Sequence, residues 1–167
     1  MVMREKEEKR SAAIRKSGAV ASTQNREKEM NNRDILIEFI ERVWNQKQIE
    51  CISEFLDTTY SIQIDTGDPW EGKTLTQDEY KKRLQYSFSS FPDIHFSIQT
   101  AISDGDFVAI TWTLTGTNLG FIDKYPPTNK KIQTTGVTIY HFRNGKICGH
   151  NQVFDRSTVM KQLGYIK

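Results

Sequence analysis

Residues 137–154 read VTIYHFRNGKICGHNQVF. β-Branched and aromatic residues fill both halves, and Asn144-Gly145 stands between them, the dipeptide that best tolerates the two left-handed residues of a tight hairpin turn. The stretch predicts two antiparallel strands, one through Val137 and Phe142, the other from Lys146 to Phe154. A strict two-residue turn sets Thr138, Tyr140 and Phe142 on the face opposite His150 and Gln152. A three-residue turn with a bulge sets all five on one face, because a one-residue slip inverts every side chain. On the residues alone, both geometries stay open.

Upstream the same alternation recurs. Ile94, Phe96 and Ile98 lead through a turn at Asp104-Gly105-Asp106 into Val108, Ile110, Trp112 and Leu114, the period of half-buried strands. A loop over Gly116–Lys131 connects them to the hairpin. Farther back, Tyr60, Ile62 and Ile64 alternate with Ser61, Gln63 and Asp65, and Thr66-Gly67-Asp68-Pro69 ends that strand. Helical spacing dominates before and between these strands. Ile35, Leu36, Phe39, Ile40, Val43 and Trp44 form one apolar stripe behind an N-cap at Asn31 or Asn32. Ile49, Ile52, Phe55 and Leu56 mark a second, short helix. Thr76 and Glu79 make a capping box for a third, whose face Tyr80, Leu84, Phe88 and Phe91 runs to Pro92. Asp155–Gly164 reads as a closing helix with a glycine cap. Helices first and antiparallel strands afterwards predict an α+β domain: one curved sheet wrapped around the early helices, with room for a pocket between them.

Composition narrows the function. The 167 residues allow one domain plus a tail. Residues 1–31 carry mixed charge and no aromatic group, and are expected to form a flexible extension; the domain is expected over 32–167. Residues 1–30 hold eight basic and five acidic side chains, and the remainder 15 and 16. The body therefore has no basic field, which argues against nucleic acid as a partner. No apolar run is long enough for a bilayer span, and the tail lacks the apolar core of a secretory signal, so a cytoplasmic protein is expected. Two cysteines, Cys51 and Cys148, are too few for a disulfide scaffold, and the scattered His95, His141 and His150 announce no metal site. No glycine-rich phosphate loop seats a nucleotide cofactor.

Three segments together carry a resemblance: Val43-Trp44-Asn45-Gln46, Tyr125-Pro126-Pro127-Thr128, and Asn144-Gly145-Lys146-Ile147 running on to Gln162-Leu163-Gly164. In order and spacing they resemble the SnoaL-like proteins, polyketide and ester cyclases of the cone-shaped nuclear transport factor 2-like fold. The resemblance implies an apolar cavity, a homodimer packed through the outer sheet face, and ring closure by an aldol step without metal or cofactor. It also implies an aspartate on the last strand as acid/base, assisted by a histidine on the strand before. Aligned without gaps, those two positions hold Gln152 and Thr138. Glutamine has no proton to exchange near neutral pH.

His150 stands two residues before Gln152, titrates near neutrality, and is the best substitute base; its bland role is a histidine hydrogen-bonded at the sheet surface. Asp155 reads as an N-cap ahead of a catalytic group, and Asp65 and Asp68, near the end of the first strand, as solvated loop carboxylates ahead of groups reaching a pocket mouth. Trp44, Tyr60, Trp70 and Trp112 are cavity-wall candidates or plain core, and Tyr140 shares a face with Thr138. Two pocket readings follow: a cofactor-free cyclase or isomerase acting on an apolar carbonyl or ester compound through His150, Gln152 and Thr138, and a non-catalytic module that holds a small hydrophobic molecule with Trp44, Tyr60, Trp112 and Tyr140. A third reading is an adaptor that binds a partner protein through its charged tail.

Overall fold

The computed structural model of the chain describes residues 31–167. The expected extension lies outside the described residues except for Asn31. That residue is the first N-cap, its side chain accepting from Asp34 N. Helix α1 (Asn32–Phe39) continues as a widened π-type turn from Ile40 to Asn45, with Gln46 N reaching Glu41 O at 2.9 Å. The expected stripe is buried through this change of pitch: Leu36, Phe39, Ile40, Val43 and Trp44 are all in the core. A single 3₁₀ turn (Ile49–Cys51) leads to the short α2 (Ile52–Phe55). Leu56 already begins strand β1 (Leu56–Asp65), and a short β2 (Thr74–Thr76), unsigned in the sequence, pairs back on it. The capping box starts α3 (Gln77–Ser90), with Glu79 Oε2 accepting from Thr76 N at 2.8 Å.

The sheet follows with β3 (His95–Asp104), β4 (Phe107–Thr117), β5 (Lys131–Arg143) and β6 (Lys146–Phe154), before α4 (Arg156–Leu163). Its order is β2-β1-β6-β5-β4-β3, curved and unclosed. Every pairing is antiparallel except β1 with β6, which run parallel because the first strand returns beside the last. The core lies on the concave face under α1, α2 and α3: Ile62, Val108, Ile110, Trp112, Phe142 and Ile147 point inward against Phe39, Tyr80 and Leu84.

Both alternatives for the hairpin turn out to contribute. Arg143 pairs with Lys146 and Phe142 with Ile147 across a two-residue turn, Asn144 and Gly145 both having positive φ. Past the tip, Cys148 is an extra residue, and pairing resumes one position later as His141–Gly149, Tyr140–His150 and Thr138–Gln152. A bulge thus lies inside β6 instead of the turn, and it brings Thr138, Tyr140, Phe142, His150 and Gln152 to one face.

A second bulge, between Ile62 and Ile64 in β1, changes the expected alternation there. Ile64 turns out to 49% exposure and Asp65 turns in to 1%. Asp65 is therefore not a solvated loop carboxylate; it is the buried last residue of the strand.

Candidate ligand pocket and its polar network

Between the concave sheet and the helices lies a cavity of about 540 Å³. Its walls are mainly apolar, with Trp44, Trp70, Phe91, Phe96, Trp112 and Phe154 as the large aromatic surfaces. Edge-on contacts tie several together, Trp44 to Phe96 at 5.2 Å and Phe96 to Trp112 at 5.3 Å between ring centroids. Gly136 stands opposite Trp112 on β5, and a Cβ there would collide with the indole. The glycine makes the seat on which that ring lies. Ile122 and Tyr125 close the cavity from the loop after β4. That loop is pinned by fully buried Asn118, whose Oδ1 accepts from Thr128 N at 2.8 Å, while Tyr165 donates to the Pro126 carbonyl. The Tyr125–Thr128 motif therefore serves to hold this wall.

One end of the cavity is polar: Arg83, Asp68, Gln152 and Arg156 reach the wall there. Behind them stands Asp65. Its Oδ2 accepts from Gln152 Nε2 (3.1 Å), His150 Nε2 (3.3 Å) and Arg83 Nη2 (3.3 Å), and its Oδ1 from Arg156 Nη2 (2.6 Å). Burial works to raise the Asp65 carboxyl, but the hydrogen bond from His150 and the charges of Arg156 and Arg83 outweigh it and hold it down at about 2. A carboxylate accepts only, so His150 donates from Nε2 and its Nδ1 lone pair faces the Tyr60 hydroxyl at 2.7 Å. Burial depresses His150 below its ordinary value, against the raising effect of Asp65, which keeps the ring neutral at pH 7.

Gln152 is fixed at both ends of its amide. Trp112 Nε1 donates to Thr138 Oγ1 at 2.8 Å, Thr138 donates on to Gln152 Oε1 at 2.8 Å, and Gln152 Nε2 donates to Asp65. The two residues at the positions of the implied acid/base pair are thus joined to each other.

Of the residues singled out in the sequence, Trp44, Asp68, Trp70, Trp112 and Gln152 are on the cavity wall, Asp68 paired to Arg83 instead of solvated. His150 is not at a sheet surface but 3% exposed in the interior, behind the wall together with Thr138, Tyr60 and Tyr140. Tyr60 is packed between Tyr80, at 4.6 Å, and the His150 ring; Tyr140 lies against Phe39 at 6.5 Å. Asp155 caps α4, accepting from Thr158 N at 3.0 Å. Arg83 and Arg156 were not anticipated. Arg83 had a signal: it falls on the Tyr80–Leu84 face of α3, where a charged residue must find a buried partner. Arg156, directly behind a cap, had none.

The profile of the SnoaL-like polyketide cyclase family matches residues 34–163. The chain belongs to that family. Among solved structures, a protein assigned as a polyketide cyclase from Acidithiobacillus ferrooxidans is 36% identical, with a TM-score of 0.75 over 84% of this chain and 99% of the other. The SnoaL-like polyketide cyclase of Agrobacterium tumefaciens (20% identity, TM-score 0.67, 81% and 99% covered) and IdmH of Streptomyces antibioticus (23%, 0.68, 81% and 99%) share the SnoaL-like fold. A search of curated protein sequences returns no match. Among the described residues of this SnoaL-like chain, no helix is long and apolar enough to cross a membrane.

Proposed function

We infer that this SnoaL-like domain seats a small hydrophobic molecule bearing a carbonyl or ester oxygen. One observation supports the reading above all others: a cavity of about 540 Å³ with mainly apolar walls and a cluster of linked polar side chains, Arg83, Asp68, Gln152 and Arg156, at one place on them. Burial of an apolar body drives binding, and the polar end fixes orientation.

Two versions of this reading differ in whether a proton moves. In the cofactor-free cyclase or isomerase version, His150 transfers the proton while Gln152 and Thr138 orient the substrate oxygen; family membership supports it. In the binding version the cavity only holds its ligand. Its support is local: the Gln152 amide exchanges no proton, and both His150 nitrogens are engaged behind the wall. We favour the binding version. A panel of aromatic ketones and esters is expected to raise the melting temperature while mass spectrometry finds every ligand unchanged. Conversion that disappears in His150→Ala with the fold intact would establish the enzyme version instead. A panel that leaves the melting temperature unmoved would sink both.

The proposal includes a cytoplasmic homodimer. The outer sheet face carries Val153 (69% exposed), Ile102, Phe107, Val137 and Ile139 side by side, and Ile64 joins them at the bulge. Contiguous apolar surface of this kind is rare on monomers. Sedimentation should give a dimer for the full chain and a monomer for Val153→Glu; a monomeric full chain would refute this assembly.

A further inference from the structure

Charge is distributed unevenly at the polar end of the cavity. Arg83, Arg156 and Asp68 reach the wall, whereas Asp65 stays behind it with all its partners supplied by protein. The further acidic residue of the wall, Asp123, belongs to the exposed loop after β4. Two guanidinium groups thus border the ligand space at this end, paired to Asp68 on the wall and to Asp65 behind it.

Arg83 is also underused. Nη2 alone makes its ion pairs, at 3.3 Å to Asp65 and 2.9 Å to Asp68. Nε is fully covered without a partner and so stays behind the wall, while Nη1, unbonded among the described residues and not so covered, is the donor left toward the cavity. Yet the side chain is only 7% exposed, and it borders the cavity. A desolvated charged donor without an acceptor is costly, and the same donor against an ionised oxygen makes a strong bond. The Trp44 ring lies 5.9 Å from the Arg83 guanidinium carbon and holds it against this wall. Arg156 is steadied from outside, Nε donating to Thr66 O at 2.7 Å and the guanidinium lying 4.4 Å over the Phe154 ring.

We propose that this end of the cavity is an anion subsite, and that the ligand is an apolar carboxylic acid whose ionised oxygens are held by Arg83 and Arg156 while its ring system lies on Trp112 and Phe96. The proposal rests on the pocket reading above and narrows the ligand class within it.

Naphthalene-2-carboxylate and its methyl ester are matched probes, with one ring system and a charge on the acid alone. Titrated calorimetrically into the full chain at neutral pH, the acid should bind about tenfold tighter than the ester, and added salt should weaken the acid alone. Arg83→Lys keeps the charge but loses the fork, and should reduce the preference. Arg156→Gln, at a one-third exposed side chain, should reduce it as well, read on protein whose circular dichroism shows the native fold. An ester that binds as tightly as the acid would overturn the anion subsite and leave the pocket reading standing. Binding of neither probe would overturn both.

Discussion

Asp65→Ala is expected to destabilise the domain by about 3–5 kcal/mol, a large part of the roughly 5–15 kcal/mol that holds a typical domain together. The reason lies in what the substitution leaves behind. Arg83 keeps only Asp68, Arg156 loses its 2.6 Å partner, and His150 and Gln152 each lose an acceptor in the interior. Removing one member of a buried ion cluster costs more than the cluster contributes, because the remaining charges stay desolvated.

The same residue sets an acid signature. A carboxyl lowered in the fold from 3.8 to about 2 stabilises the native state above its unfolded value, and that contribution, about 2 kcal/mol, is lost as pH falls from near 4 toward 2. His150 acts in the same direction at milder acidity. Its depressed value means that the fold resists protonation, so stability begins to fall as pH drops below the ordinary 6.5. Denaturant titrations across pH should show both declines in the native protein and only the milder one in Asp65→Ala. A variant within 1 kcal/mol of the native protein at pH 7 would contradict this account of the cluster.

Gly149→Val should lose about 3 kcal/mol or more and accumulate as insoluble protein. Gly149 sits between β1 and β5, pairing with Ser61 on one side and His141 on the other. A Cβ there would stand 2.5 Å from the Ser61 carbonyl oxygen. That oxygen is backbone in the parallel pairing, so it cannot swing aside as a side chain would. Either β1 separates from β6, moving Tyr60 and Asp65 away from His150, or the variant fails to fold. A soluble Gly149→Val with native denaturation behaviour would show that the β1–β6 contact is looser than described.

Much of the architecture could be read from local chemistry. The Thr76–Glu79 box, the Asp155 cap and the left-handed Gly164 each act within a few residues, so their signals are present in the chain itself. Alternation located β4 and β5 because those strands bury one regular face, and the start of β3 because Phe96 and Ile98 are half-buried between exposed neighbours. What escaped depends on distant partners. The β1 bulge has no residue-type signature in Ile62-Gln63-Ile64-Asp65, so strict alternation placed Ile64 inside and Asp65 in water. Once Asp65 was misplaced, the reason for Arg83 on an apolar helix face was hidden too. His150 was recognised as unusual, but only the parallel return of β1 shows that its neighbours are Tyr60 and Asp65.

The extra residue between Ile62 and Ile64 in β1 and the one at Cys148 in β6 bear on how this gene can change. Losing a single codon near Gln63 would give β1 a simpler, more regular ladder. It would also evert an anion into solvent and draw an isoleucine in beside two arginines. Drift in side-chain identity is thus cheaper here than drift in strand length, and deletions should be purged from these two ribbons sooner than substitutions.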